Sequence, residues 1–396
     1  MKYSYSWHTS LSWALGIGLT GWIFAGLPGI VAIHGADFDH YYRAGEQIFR
    51  GENIYYDAQA DWAREGIDSW YLYPPYFAAA FYPLTWLGPV RAKAVFAVFA
   101  AATLLGIDLI LLSLRTILSP RAPLLDPFIH LLVLAPYPSS LLLGSLQIEG
   151  FLFLLFLLTV MGTLEIRRLW GTGCAYAAGV MIKLWPGPFL LSLAVVWRKR
   201  IFIPVLTIGL GAGFLFTGLA GWRVQWTFLQ TILPALMHYA DDYIDNQSLT
   251  LFLRESFSWS DGFIQMIRLA ILASYALAVY HARDSLKNRN PRAVAVNASL
   301  FAAVSLLITP TAWSATHIRL LLPLATSGAL SIDPSRRFSR WGFISLISVL
   351  LYIYPQGFFG VDGFYWLERY PLLWATLIQY GIFLYVSFQK NGSSGR

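Results

Sequence analysis

Residues 171–197 read Gly-Thr-Gly-Cys-Ala-Tyr-Ala-Ala-Gly-Val-Met-Ile-Lys-Leu-Trp-Pro-Gly-Pro-Phe-Leu-Leu-Ser-Leu-Ala-Val-Val-Trp. The run is long enough to cross a bilayer, whose apolar core takes about 20 helical residues. It is flanked on both sides by bases, Arg167 and Arg168 before it and Arg198, Lys199 and Arg200 after it. Basic clusters mark cytoplasmic loops, so both ends belong on one side and the chain should go in and come back. The turn is placed at Pro186-Gly187-Pro188, because proline removes a backbone donor and breaks a helix. Such broken helices are tolerated at membrane depth where they line a protein cavity. Lys183 stands just before the break, and an ionisable group inside a membrane is costly enough to be a functional candidate by default.

The rest of the chain is of the same kind. Of 396 residues, 57% are hydrophobic, 16% aromatic and 12% charged, the last about half of the charged share usual in soluble domains. A water-soluble globule is excluded, and the length accommodates roughly ten to twelve crossings. Candidate spans are 11–33, 94–117, 123–144, 147–166, 171–197, 201–220, 262–281, 293–309, 317–333, 341–357 and 370–388. The fold class expected is an all-α polytopic membrane protein, a single transmembrane domain over residues 1–390. The apolar run Leu11 to Ile33 is longer than a signal-peptide core and reads as a retained first span. The Gly/Ser-rich stretch Asn391 to Arg396 reads as a tail or a cloning scar. Cys174 is the only cysteine, which excludes an intrachain disulfide or a Cys-rich zinc site.

The net charge is +7, but its distribution says more than its sum. Segment 34–75 holds eight acids and three bases, segment 221–262 five acids and two bases. The remaining bases gather between apolar runs, at Arg115 and Arg121, Arg167 and Arg168, Arg198 to Arg200, Arg283 to Arg292, and Arg336, Arg337 and Arg340. With these clusters in the cytoplasm, parity puts both acidic segments outside, as the first and second large extracytoplasmic loops. Residues 76–117 must then cross once in net, so the short run Tyr76 to Leu87 dips in and returns. A rival count lets 76–117 cross twice and 171–197 once, leaving four arginines outside. No nucleic-acid partner needs invoking.

Several polar residues do not suit a membrane. Asp37-Phe-Asp39-His-Tyr41-Tyr42 opens an amphipathic stretch that reads as an interfacial helix, either aspartate serving as its cap or as a reactive acid. Tyr71-Leu-Tyr73-Pro74-Pro75 is a rigid aromatic re-entry point, or only an interfacial belt. Gln147 and Glu149 stand at the outer end of a span. Asp241, Asp242 and Asp245 resemble a metal loop only loosely, lacking the Gly and closing Glu of an EF-hand. Asn246, Gln247 and Ser248 follow, either helix caps or partners for sugar hydroxyls. Trp313, His317 and Arg319 lie where one span ends and the next begins; there a cation pair suits a phosphate, though a snorkelling Arg and a structural His remain open.

Under this topology Asp37, Gln147, Lys183, Asn246 and His317 reach one side of the membrane. An acidic loop beside intramembrane cations describes a pocket for an anionic lipid headgroup. The chemistry that fits is glycosyl transfer from a lipid-linked phosphosugar. Asp37 or Asp39 would take a proton from an acceptor hydroxyl, while Lys183, His317 and Arg319 hold the departing phosphate. Direct attack would invert the anomeric centre, and with permanent cations present no metal or other cofactor is required.

These residues also resemble glycosyltransferase family 87, membrane enzymes of the GT-C class that include polyprenyl-phosphate-mannose-dependent mannosyltransferases of phosphatidylinositol mannosides. The resemblance rests on Asp37-Phe-Asp39-His-Tyr41-Tyr42-Arg-Ala44-Gly45, Tyr73-Pro74-Pro75 with Phe81-Tyr-Pro83-Leu84, Lys183-Leu-Trp-Pro186, Asn246-Gln-Ser248-Leu249, and Thr309-Pro310-Thr-Ala-Trp313 with His317, in that order. It implies a GT-C fold of about 10–13 transmembrane or re-entrant helices, a polyprenyl-phosphate sugar donor, a lipid or glycan acceptor, surrounding membrane lipids, a bacterial plasma-membrane location and a catalytic acid at Asp37, with Asp39 second. Substrate-binding residues would be Tyr41, Tyr42, Tyr73, Gln147, Glu149, Lys183, Asn246, Gln247, Trp313, His317 and Arg319. The sequence departs at Gly144-Ser-Leu-Gln147-Ile-Glu149, where the family usually reads Gly-Gln-x-Asn. Two other functions compete. A lipid or sugar transporter would share the broken helix, and a non-catalytic subunit would use its Trp and Tyr for helix contacts.

Overall fold

The computed structural model describes residues 7–33, 35–55, 71–120, 123, 125–134, 137–238, 246–331, 340–353 and 369–389, all of them helical or connecting. Asp57, the aspartates 241, 242 and 245, Arg121, Arg336, Arg337 and the tail Asn391 to Arg396 lie outside the described residues.

The chain begins with α1 (Trp7–Ile33) and α2 (Ala36–Phe49), separated by Gly35 at φ 108°, a left-handed conformation that glycine adopts without penalty. Next come α3 (Pro75–Thr85) and α4 (Pro89–Leu118), each with proline at its first helical position, where the missing N–H is no loss. α3 does not cross the bundle. It packs along α2, with Tyr42 OH donating to Thr85 O at 3.1 Å and the rings of Tyr41 and Phe77 at 4.9 Å. α4 then starts beside α2, where Lys93 pairs with Asp39, and its 30 residues are long and apolar enough to cross a membrane, whereas the 11 residues of α3 are not.

After α5 (Leu125–Leu134) and α6 (Tyr137–Ser145), α7 (Glu149–Leu164) runs back and leads to α8 (Leu169–Ile182). At Lys183 the backbone becomes extended (φ −154°, ψ 136°), and after a 3-10 turn at Gly187–Phe189 it continues as α9 (Leu190–Trp197). The two arms form the expected hairpin. Lys183 at its apex meets Glu149 at the start of α7, while Trp197 at its foot lies 3.7 Å from the Arg289 guanidinium, which donates to Thr163 O at the end of α7. Tyr176 OH donates to Gly187 O at 2.6 Å and ties one arm to the other. The chain reverses again at Arg198 (φ 53°) into α10 (Phe202–Ala220), which climbs along α8 until Phe216 reaches Tyr76.

Beyond α10 the helical stretch Trp222–Thr227, Phe228–Ile232 and Leu233–His238 stays at the α2 end, Phe228 lying 6.1 Å from Tyr55. Then follow α11 (Leu249–Phe257), α12 (Asp261–His281), α13 (Pro291–Leu307), a 3-10 helix at Ser314–Leu320, α14 (Leu321–Ser331), α15 (Arg340–Ile353) and α16 (Pro371–Phe388). Ser248 caps α11 by accepting from Leu251 N at 3.1 Å, and Asn290 caps α13.

α13 is the central helix: every residue from Val294 to Leu307 is buried. Its Ala295, Ala298, Ala302, Ala303 and Ser299 let neighbouring helices approach closely, as small residues do in membrane bundles. The outer helices are apolar outward as well; Phe214 on α10 is 78% exposed. Five helical stretches among the described residues are long and apolar enough to cross a membrane. An apolar exterior around a packed helical interior, with every span satisfying its own backbone, identifies an integral membrane protein.

Candidate active site

The site is built where α2, the start of α3, the α6–α7 connection, the hairpin apex and the 3-10 helix converge. α2 is amphipathic: Phe38, Tyr41, Tyr42 and Ile48 are buried, whereas Asp39 and Arg43 are exposed. Phe38 and Tyr41 enter a cluster of edge-to-face rings with Phe77, Phe81 and Phe96, which fixes the helix rotation about its axis. That rotation separates the two candidate acids. Asp37, one turn before Tyr41, faces inward, where the Gln147 side chain hydrogen-bonds its carboxylate. Asp39 points outward, its carboxylate 3.7 Å from Lys93. Neither caps the helix, since Gly35 occupies that place.

Asp37 lies outside the spanning helices, and burial pushes its carboxyl above the usual aspartate range. The Gln147 hydrogen bond and the nearby His40 and Lys183 charges oppose this, while Glu149 adds to it.

Gln147 is aimed at Asp37 by an unusual turn. Gln147 N donates to Leu142 O at 3.0 Å, closing α6, and Leu146 between them takes φ 54°. A side chain in that left-handed region costs about 1–2 kcal/mol, and such strain persists where the surroundings over-determine it.

Two residues on is Glu149, with both carboxylate oxygens engaged. Lys183 Nζ binds Oε1 and Arg319 Nη2 donates to Oε2 at 2.9 Å. Glu149 and Arg319 side chains are each 1% exposed, that of Lys183 34%. The Arg319 guanidinium stacks on Trp185 at 3.9 Å and Nη1 reaches Ser305 Oγ at 3.4 Å. Arg319 is therefore committed to Glu149 and does not reach the accessible surface, whereas Lys183 does.

Tyr73 lies between Lys183 and Tyr41. Lys183 Nζ lies 5.3 Å from its ring centroid, and its hydroxyl is 3.1 Å from Tyr41 OH. The backbone of Tyr73 is pinned by Tyr55 OH, which donates to its carbonyl at 2.5 Å. Thus Asp37, Tyr41, Tyr73, Gln147, Glu149, Lys183 and Arg319 come together as one connected set, drawn from distant parts of the sequence.

The remaining candidates are placed differently. Tyr42 is spent on α3. Asn246 is buried, its Oδ1 accepting from Ser248 N at 3.0 Å and Ala312 N at 3.1 Å, and Asn246 forms a β-bridge with Trp313. Gln247 donates to Arg369 O at 2.8 Å. These residues fasten the end of the second loop to the 311–313 connection. His317 is buried and its Nδ1–H donates to Trp313 O at 3.1 Å, within its own 3-10 turn; Trp313 is half-buried. Trp185 and Tyr55 were not among the expected site residues. Trp185 is two positions from Lys183 in sequence, but its partner Arg319 is far away. A cavity of about 270 Å³ lined by His281, Arg292 and Asn297 lies at the opposite end of the bundle, and among the described residues no carboxylate lines it.

A family model described as Glycosyltransferase family 87 matches residues 71–310. Among characterised proteins, a polyprenol-phosphate-mannose-dependent alpha-(1-2)-phosphatidylinositol mannoside mannosyltransferase of Mycolicibacterium smegmatis is 24% identical over 323 residues, covering 77% of this chain and 71% of the relative. No solved structure matches.

Proposed function

The chain belongs to glycosyltransferase family 87, a family of the GT-C class, and from that premise we propose that it transfers a sugar from a polyprenyl-phosphate donor to a lipid-linked or glycan acceptor. Mannose is the sugar proposed, by analogy with the mycobacterial relative. The observation that carries the reading is the placement of Asp37, an inward-facing acid held by Gln147, within electrostatic reach of Lys183, an accessible cation packed on the Tyr73 ring.

In this reading Asp37 accepts the proton of the acceptor hydroxyl as its oxygen attacks the anomeric carbon. The bond between that carbon and the phosphate oxygen breaks, its electron pair passing to the phosphate, whose growing charge Lys183 stabilises. Attack opposite the leaving group inverts the anomeric centre, and Lys183 supplies as a fixed charge what a divalent metal could otherwise provide. Tyr73 and Gln147 offer donors to sugar hydroxyls, and half-buried Trp313 offers a face to the sugar ring. Arg319 acts at one remove, by bracing Glu149.

The site is assigned to the extracytoplasmic side of a bacterial plasma membrane. Arg167–Arg168, Arg198–Arg200 and Arg283–Arg292 all gather at the other end of the bundle, as the positive-inside rule requires of a cytoplasmic face.

The test is to incubate purified protein with radiolabelled polyprenyl-phosphate sugars and a membrane lipid extract, comparing wild type with Asp37→Asn. Labelled lipid from wild type alone supports the assignment. Equal product from both removes Asp37 as the base, and no product with any sugar removes the transferase reading of this site.

A further inference from the structure

We infer that Glu149 sets the charge of the phosphate subsite, so that it holds the singly charged phosphodiester of the donor and releases the doubly charged phosphomonoester left after transfer. The inference rests on reading Lys183 as the phosphate-binding cation.

Two observations carry it. Glu149 is fully buried and lies between Lys183 and Arg319 with one carboxylate oxygen on each. The three side chains together carry one net positive charge. Without Glu149, the accessible Lys183 and the buried Arg319 behind it would both be unneutralised, and the subsite would carry two positive charges.

The ligands differ in the same quantity. A polyprenyl phosphosugar is a phosphodiester with one negative charge. Transfer converts it to a phosphomonoester, whose second ionisation lies near pH 6, so that at pH 8 it carries two. Charges at about 5 Å interact strongly even at an effective dielectric of about 20. A doubly positive subsite would therefore grip the product more tightly than the donor, and turnover would stall on release. Matching the subsite to the donor's single charge avoids this. The Lys183 ammonium still meets the phosphate as its charge grows. Asp37 lies near enough to add to the repulsion of a second negative charge.

The test compares two ligands that differ by one charge, polyprenyl monophosphate and its methyl ester, in direct binding to purified protein at pH 8. Glu149→Gln should shift the affinity ratio toward the monophosphate by about tenfold or more. Arg319→Gln should shift it the other way, and the double variant Glu149→Gln/Arg319→Gln, with one net positive charge restored, should return near the wild-type ratio. A loss of structure alone would weaken both ligands together and leave the ratio in place. An unchanged ratio in folded Glu149→Gln overturns the inference, as does a shift in Arg319→Gln in the same direction as in Glu149→Gln. Should Glu149→Gln not fold, the Arg319→Gln and double-variant ratios decide it. Binding of neither ligand by the wild type would instead remove Lys183 from the phosphate site and with it the functional reading.

Discussion

Arg319 donates to Glu149 at 2.9 Å across 170 positions of sequence, and both side chains are almost wholly buried. A buried ion pair is weak evidence of net stability, because desolvation offsets its attraction, but breaking one partner leaves a bare charge in the interior. Arg319→Ala is therefore expected to destabilise the fold by about 3–5 kcal/mol. Lys183→Ala should cost less, since Glu149 retains Arg319 and the Lys183 ammonium is one-third exposed. Thermal melts of the detergent-purified variants check this, and a larger loss from Lys183→Ala than from Arg319→Ala would remove Arg319 from its bracing role.

Asp37 and Asp39 separate by role because they face opposite ways. Asp37→Asn should lower transfer by about 10²–10⁴-fold, the usual worth of a general base. Asp39→Asn, which loses only an exposed pairing with Lys93, should change transfer little. Rates with labelled donor, normalised to folded protein, distinguish them; equal losses would show that the inward turn of Asp37 does not matter.

The raised pKa of Asp37 gives the pH dependence a sign. The base works as the carboxylate, so kcat/KM should rise with pH through a midpoint above the ordinary aspartate value of about 3.9. The same shift affects stability. A carboxyl whose folded pKa is raised stabilises the fold fully below its unfolded value, and the contribution is lost as pH rises through the folded value. Asp37→Asn does not undergo that loss, so its Tm should gain on that of wild type as pH rises from about 3 to 7. A wild-type Tm that gains on the variant's as pH rises would contradict the raised pKa of Asp37.

Leu146 sets two effects against each other. Glycine would relieve about 1–2 kcal/mol of left-handed strain, yet Leu146 is fully buried, and removing such a side chain costs about 2–5 kcal/mol. Packing should prevail, so Leu146→Gly is expected to lower Tm, with transfer reduced as Gln147 loses its fixed aim. A gain in Tm would show that strain outweighs burial at this turn.

Asn246 tests the fastening of the second loop. Asn246→Ala would leave the buried N–H groups of Ser248 and Ala312 without their side-chain acceptor, at about 1–3 kcal/mol for each buried donor left unsatisfied. Ser248→Ala, which removes a helix cap, should cost about 1 kcal/mol. Melts of the two variants should rank in that order, and the reverse order would place the cap above the staple.

The sequence alone determined the class of the molecule and the course of its chain. Apolar runs of membrane length, the bases flanking residues 171–197 and the Pro-Gly-Pro break sufficed for the hairpin, because hydropathy, charge and proline act locally and leave a periodic or positional mark. The motif order put Asp37 and Lys183 among the candidates, and Gln147 stood out as an amide at the end of an apolar span. Which residues meet was decided only by the tertiary structure. Asp37 and Asp39 sit two positions apart on a helix, about 200° around its axis, and only the packing of Phe38 and Tyr41 against α3 and α4 determines which of them turns inward. Likewise Glu149, Lys183 and Arg319 each looked like a separate ligand contact. Their union is a consequence of bringing three distant segments to one point, where burial makes any unneutralised charge costly and so makes the ions partners of one another.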